Sequence, residues 1–139
     1  MLPVVKNDMR ILIVKDEPLV LKSLESKLKR EGFNVILCTR IEDALNAINE
    51  KNIHVVITGL TFSEASISAI DIIRECKSIL PPKPIIIISK KVGEEEIMQE
   101  AIECGADDCL YSPIKLNELV VRLNYLLRND LNRKTVSVL

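Results

Sequence analysis

Chemistry in this chain can arise at only a few points. Lys15-Asp16-Glu17 sets a cation against two carboxylates, Thr58-Gly59 puts a hydroxyl beside a residue with no side chain, and Ser89-Lys90 and Ser112-Pro113 add two further hydroxyls. A site for phosphate and a divalent metal needs acids in a cluster, because a hard cation such as Mg²⁺ takes carboxylate oxygens in near-octahedral order. Here lysine and glycine dilute the acids. Thr58, Thr61 and Ser63 are hydroxyls that could take a phosphoryl group, but no general base accompanies them. Cys38, Cys76, Cys104 and Cys109 form no CxxC pair and have one histidine, His54, for company, so they read as small buried thiols rather than metal ligands.

These points matter only where a fold brings them together. Short apolar runs at 10–14, 34–38, 53–58, 84–89 and 107–111 read as strands, and Ile85-Ile86-Ile87-Ile88 lacks polar alternation, as a strand covered on both faces should. Helical stripes lie between them. The first carries Leu21, Leu24 and Leu28, with Pro18 near its start and Gly32 past its end; the second Ile41, Leu45 and Ile48; the third Ile67, Ile70 and Ile73. A fourth has Met98, Ala101 and Ile102 and ends at Gly105, and a fifth spans 116–127 with Leu116, Leu119, Val120, Leu123 and Leu127 inward. Strand and helix alternate five times, which predicts an α/β fold, a three-layer α/β/α sandwich on a parallel sheet. Ligands of such sheets bind beyond the carboxyl ends of the strands, so the residues to inspect are Lys15, Asp16, Glu17, Gly59, Ser89 and Ser112.

At 139 residues the chain makes one domain with a sizeable core. Its net charge of −1 gives no electrostatic reason to expect nucleic acid or a membrane as partner. With no apolar run of membrane-spanning length and no signal-peptide pattern, a cytoplasmic protein is expected. Residues 1–9 read as an N-terminal extension, 10–128 as the domain, and 129–139 as a polar tail or the start of a linker.

The run Ile11-Leu12-Ile13-Val14-Lys15-Asp16-Glu17-Pro18, the strand ending at Ser89, and Gly105-Ala106-Asp107-Asp108 followed by Pro113 resemble the receiver domain of two-component response regulators. The resemblance covers nearly the whole chain and implies the flavodoxin-like strand order 2-1-3-4-5, which the general rule for doubly wound sheets uses as an example. It also implies a phosphorylation pocket. Two acids after the first strand and an aspartate ending the third hold Mg²⁺, and that aspartate takes a phosphoryl group from a histidine kinase. A hydroxyl after the fourth strand and a lysine before the proline after the fifth touch the phosphoryl oxygens. Asp16 matches the second acid and Ser89 the hydroxyl, whereas Lys15 replaces the first acid, Gly59 the phosphoacceptor and Ser112 the lysine. The aromatic switch position falls on Cys109, and Ser112-Pro113 matches a peptide that is cis in the family.

The resemblance therefore implies a degenerate receiver. A family pocket sums to two negative charges, while Lys15 and Asp16 cancel; at about 4 Å and an effective dielectric near 20, each unit of charge is worth roughly 4 kcal/mol. Mg²⁺ is not expected to bind well, no cofactor is expected, and no enzymatic activity. Lys15 either pairs with Asp16 or Glu17 as a built-in cation or extends into solvent. The function expected is protein contact with a histidine kinase, another regulator or a second copy, through the face of the fourth helix, fifth strand and fifth helix. DNA would be reached only through an effector domain, were one to follow. Two other readings compete: a phosphorelay receiver with a substitute hydroxyl nucleophile, and a flavodoxin-like cofactor binder. The second suffers because Lys15-Asp16-Glu17-Pro18 has no glycine to let backbone amides approach a phosphate.

Overall fold

The structure, a computed structural model, describes residues 8–50, 52–63, 68–90 and 92–138, with side chains as far as residue 128. Five strands, β1 (Arg10–Val14), β2 (Asn34–Cys38), β3 (Val55–Gly59), β4 (Ile85–Ser89) and β5 (Asp108–Tyr111), alternate with helices α1 (Pro18–Arg30), α2 (Ile41–Glu50), α3 (Ile70–Ser78), α4 (Glu95–Glu103) and α5 (Leu116–Val138). All strand pairs are parallel, and the order is β2-β1-β3-β4-β5. The expected α/β sandwich and its strand order are both present. Among the described residues no helix is long and apolar enough to cross a membrane.

Side-chain alternation along the strands divides the core in two. Leu12, Val14, Val56, Ile85 and Ile87 face α2, α3 and α4 and pack with Ile41, Ile48, Ile72, Ile73 and Met98. Ile11, Ile13, Val55, Ile57, Ile86, Ile88 and Leu110 face α1 and α5 and pack with Leu21, Leu24, Leu28, Leu119, Leu123 and Leu127. Each fully buried aliphatic side chain contributes roughly 1.5–3 kcal/mol, which is why β3 and β4, apolar until Thr58 and Ser89 near their carboxyl ends, sit inside the sheet. Pro18 occupies the first turn of α1.

Several expectations shift. Met9, assigned to an extension, is buried in the core, and its carbonyl accepts the Asn34 N–H at 3.0 Å, so the domain starts before Arg10; residues 1–7 lie outside the described residues, as does Ile67. Ile102, placed inward with Met98 and Ala101, is 60% exposed because it lies on the outer flank of a short helix. Helix α5 does not stop near Leu127: its backbone stays helical through Val138, where a polar tail was expected. Of the four thiols only Cys76 is buried, the others being half-buried. His54 has a structural part: its Nδ1 accepts the Arg10 N–H at 2.9 Å and ties the start of β1 to the residue preceding β3.

Candidate functional site at the carboxyl edge of the sheet

Register brings Lys15 and Gly59 together. Ile13 is the partner of Ile57, and two residues further along these adjacent parallel strands lie Lys15 and Gly59, on the same face. Lys15 is 3% exposed, so of its two expected states the structure takes the buried one. Its Nζ lies 2.9 Å from Glu17 Oε1, a half-exposed carboxylate at the head of α1. A Cβ built on Gly59 would stand 3.1 Å from Lys15 Cδ and 3.4 Å from Lys15 Nζ. The lysine stem and ammonium thus run through the space that a side chain at position 59 would enter. Burying an ammonium is costly without a partner, and the Glu17 carboxylate is that partner.

Asp16 is held by the β3–α3 connection. Its Oδ2 accepts the Ser63 N–H at 2.6 Å and the Ser63 hydroxyl at 2.5 Å. Partial burial raises the Asp16 pKa, but the Ser63 bonds and the Lys15 charge outweigh it, leaving the carboxyl below its ordinary value. The candidate nucleophile hydroxyls are likewise engaged as donors. Thr58 Oγ1 donates to the Gly59 carbonyl at 2.9 Å, Ser63 Oγ to Asp16, and Thr61 Oγ1 to Glu94 Oε2.

Ser89 ends β4 with 1% exposure, and its hydroxyl donates to Glu94 Oε1 at 3.1 Å. Glu94 was not foreseen. It is 6% exposed and accepts three hydrogen bonds, from Ser89 Oγ, from the Lys90 N–H at 2.5 Å, and from Thr61 Oγ1. Burial raises its pKa, yet the Thr61, Lys90 and Ser89 donors and the Lys90 charge bring it below the ordinary value, so it is ionised at neutral pH. Its only sequence signal is membership of Glu94-Glu95-Glu96 after Gly93, which reads as a solvated helix start. The expected neutral balance of the pocket is accordingly corrected: beside Asp16 and Glu17, a third carboxylate enters from the β4–α4 connection.

The remaining positions sit at the rim. Ser112 is exposed, its N–H donating to the Ser89 carbonyl at 2.8 Å, and the Ser112-Pro113 peptide is cis, as is Leu80-Pro81. Cys109 is half-buried, its thiol pushed up to about 11 by burial with help from the Asp108 and Glu94 charges. Burial likewise pushes Cys76 to about 12, so both thiols stay protonated at neutral pH.

A Mg²⁺ ion does not fit this donor set. Asp16 is occupied by Ser63, Lys15 brings an ammonium beside it, and Glu94 is engaged by three donors. Among the described residues no three His, Cys, Asp or Glu side chains converge on a common point.

Comparison with known proteins bears on the same residues. The family model described as the response regulator receiver domain matches residues 11–124. The chain is 32% identical over 122 residues to the two-component response regulator PhoP of Pseudomonas aeruginosa, covering 88% of this chain and 53% of that protein. It is 30% identical over 120 residues to the transcriptional regulatory protein KdpE of Mycobacterium tuberculosis, covering 86% and 51%. The chain spans about half the length of these curated relatives. Among solved structures, the receiver domain of NtrX from Brucella abortus superposes with a TM-score of 0.76 at 26% identity, covering 85% of this chain and 98% of that one. A CheY-like receiver protein from Methanospirillum hungatei gives 0.82 at 18% identity over 90% and 98%, a likeness of fold alone. On the family match across most of its length, the chain belongs to the response regulator receiver domain family.

Proposed function

We propose that this receiver domain performs no phosphoryl transfer and signals by protein contact. The observation that carries the reading is the buried Lys15 side chain lying against Gly59, where the family places its phosphoacceptor. Glycine supplies no nucleophile for an acyl phosphate, and the ammonium opposes the divalent cation that would assist its formation. The nearby hydroxyls are poor substitutes: Thr58 donates to a backbone carbonyl, while Ser63 and Thr61 donate to Asp16 and Glu94, carboxylates whose lowered pKa makes them weak bases towards a hydroxyl.

The contact surface we assign is the face of α4, β5 and α5. It exposes Ile102, Tyr111, Val121 and Tyr125, flanked by Arg122 bonded to Asp108 at 3.2 Å and to Glu118 at 3.4 Å. Aromatic and aliphatic groups ringed by paired charges suit a protein partner. That partner is a kinase, a regulator or a second copy of a receiver, met in the cytoplasm, and DNA would be contacted only through an effector domain. Cys109 in place of an aromatic switch removes the rotamer change that would couple this face to phosphorylation, so partner binding alone shifts its state.

The test is incubation with acetyl phosphate, and separately with beryllofluoride, each with Mg²⁺. No mass increment and no saturable change in the amide spectrum near Gly59 are expected. Stoichiometric labelling would overturn the reading.

A further inference from the structure

The β4–α4 connection is built to return Glu94 to the end of β4. Gly93 takes φ +81°, which glycine adopts without a Cβ penalty, and the Val92 N–H donates to the Lys90 carbonyl at 2.9 Å, folding the segment back. Glu94 stands at the N-cap of α4 yet makes no side-chain cap bond there. Its carboxylate is turned from its own helix towards Ser89 Oγ, the Lys90 amide and Thr61 Oγ1. Three donors from two connections, converging where a buried strand ends, describe an anion receptor rather than a helix cap.

We propose that Ser89 Oγ, the Lys90 N–H and Thr61 Oγ1 form an oxyanion site whose resident ligand is the chain's own Glu94 carboxylate. The assignment rests on the receiver reading, in which the hydroxyl matched by Ser89 touches phosphoryl oxygens. Carboxylate and phosphoryl oxygens make the same demand, N–H and O–H donors at short range. Glu94 meets it internally, so the β3–α3 and β4–α4 connections are joined through one anion with no phosphoryl group. A site filled by its own chain is permanently in the occupied arrangement, and an outside anion enters only when Glu94 is withdrawn.

The test uses the full chain with Glu94→Ala and with Glu94→Gln, and acetate or inorganic phosphate as the probe. Glu94→Ala should lower the thermal midpoint by about 8 °C, the change that loss of a buried charged acceptor brings in a domain of this length. The Lys90 amide resonance should move, and acetate or phosphate should restore both midpoint and resonance saturably in Glu94→Ala but not in the wild type. Glu94→Gln keeps the shape and serves if the alanine variant does not fold: it should shift the Lys90 amide while remaining insensitive to added anions. An unmoved Lys90 amide in the variant that folds, or equal anion responses in wild type and Glu94→Ala, would overturn the proposal. Stoichiometric covalent labelling of the wild type by acetyl phosphate would instead overturn the non-phosphorylatable reading, so the two ideas fail on different measurements.

Discussion

The two sides of the strand-end pocket are filled by opposite charges in different ways. On the α1–α5 face a cation occupies a void: Lys15 threads past Gly59, and its ammonium meets one half-exposed carboxylate, Glu17. On the α2–α4 face an anion occupies a receptor: Glu94 is met by three donors from two loops. The first side depends on the absence of a side chain and the second on the presence of several. Packing should therefore dominate the stability of the Lys15 side, and hydrogen bonding that of the Glu94 side.

The sharpest way to break this comparison is to refill the void with acid. Gly59→Asp alone should acquire no measurable Mg²⁺ binding, because the new carboxylate arises within contact distance of the Lys15 ammonium and pairs with it. Gly59→Asp together with Lys15→Asp should bind Mg²⁺ at least about tenfold more tightly than the single variant, as the removal of one positive and the gain of one negative charge implies. Calorimetric titration of both variants decides it, and equal affinities would show that Lys15 does not control the site.

Next in size is the stability of the lysine itself. Lys15→Ala should cost about 2 kcal/mol by opening a cavity beside Gly59, whereas Lys15→Met, which refills the channel without charge, should cost less than about 1 kcal/mol. Urea denaturation of the pair separates packing from charge, and equal losses would contradict a packing role.

A smaller loss, about 1 kcal/mol, is expected from Ser63→Ala, which removes one of the two bonds that Asp16 accepts from the loop. Acid should act through the two carboxylates held by loop donors. Asp16 and Glu94 lie below their ordinary values in the folded chain, so the unfolded chain binds more protons as the pH falls through about 4. Their contribution is fully present above that range and is lost as the pH drops through the folded values. Glu94→Gln should flatten this acid limb in a series of denaturation midpoints. The smallest expected effect is coupling between the sides: the losses in Lys15→Ala and Glu94→Ala should add within about 0.5 kcal/mol.

Sequence periodicity made the sheet, its helices and their apolar faces legible, because Ile-rich runs and Leu stripes have few other ways to bury themselves. It misjudged places where an element's end is decided by neighbours. Ile102 fits a helical stripe but faces outward because α4 is short and its inner side is completed by Met98 and Ala101. Gly59, Ser89 and Asp16 were legible as strand-end residues, yet their partners were not, since Ser63 lies 47 positions from Asp16 and Thr61 lies 33 from Glu94. Glu94 left no mark of its own among three glutamates, for a carboxylate's burial depends on where the loop before it turns.

The residue types alone determined the α/β sandwich, with a lysine after the first strand and a glycine ending the third, since these follow from local pattern; that the two stand where receivers carry acids is what the family resemblance implies. Tertiary structure decided what became of the space those replacements left. Only the register of β1 against β3 could put the Lys15 stem against Gly59, and only the fold-back at Gly93 could carry Glu94 to Ser89. Both are long-range juxtapositions, in which a buried charge is tolerable because distant parts of the chain arrive to meet it.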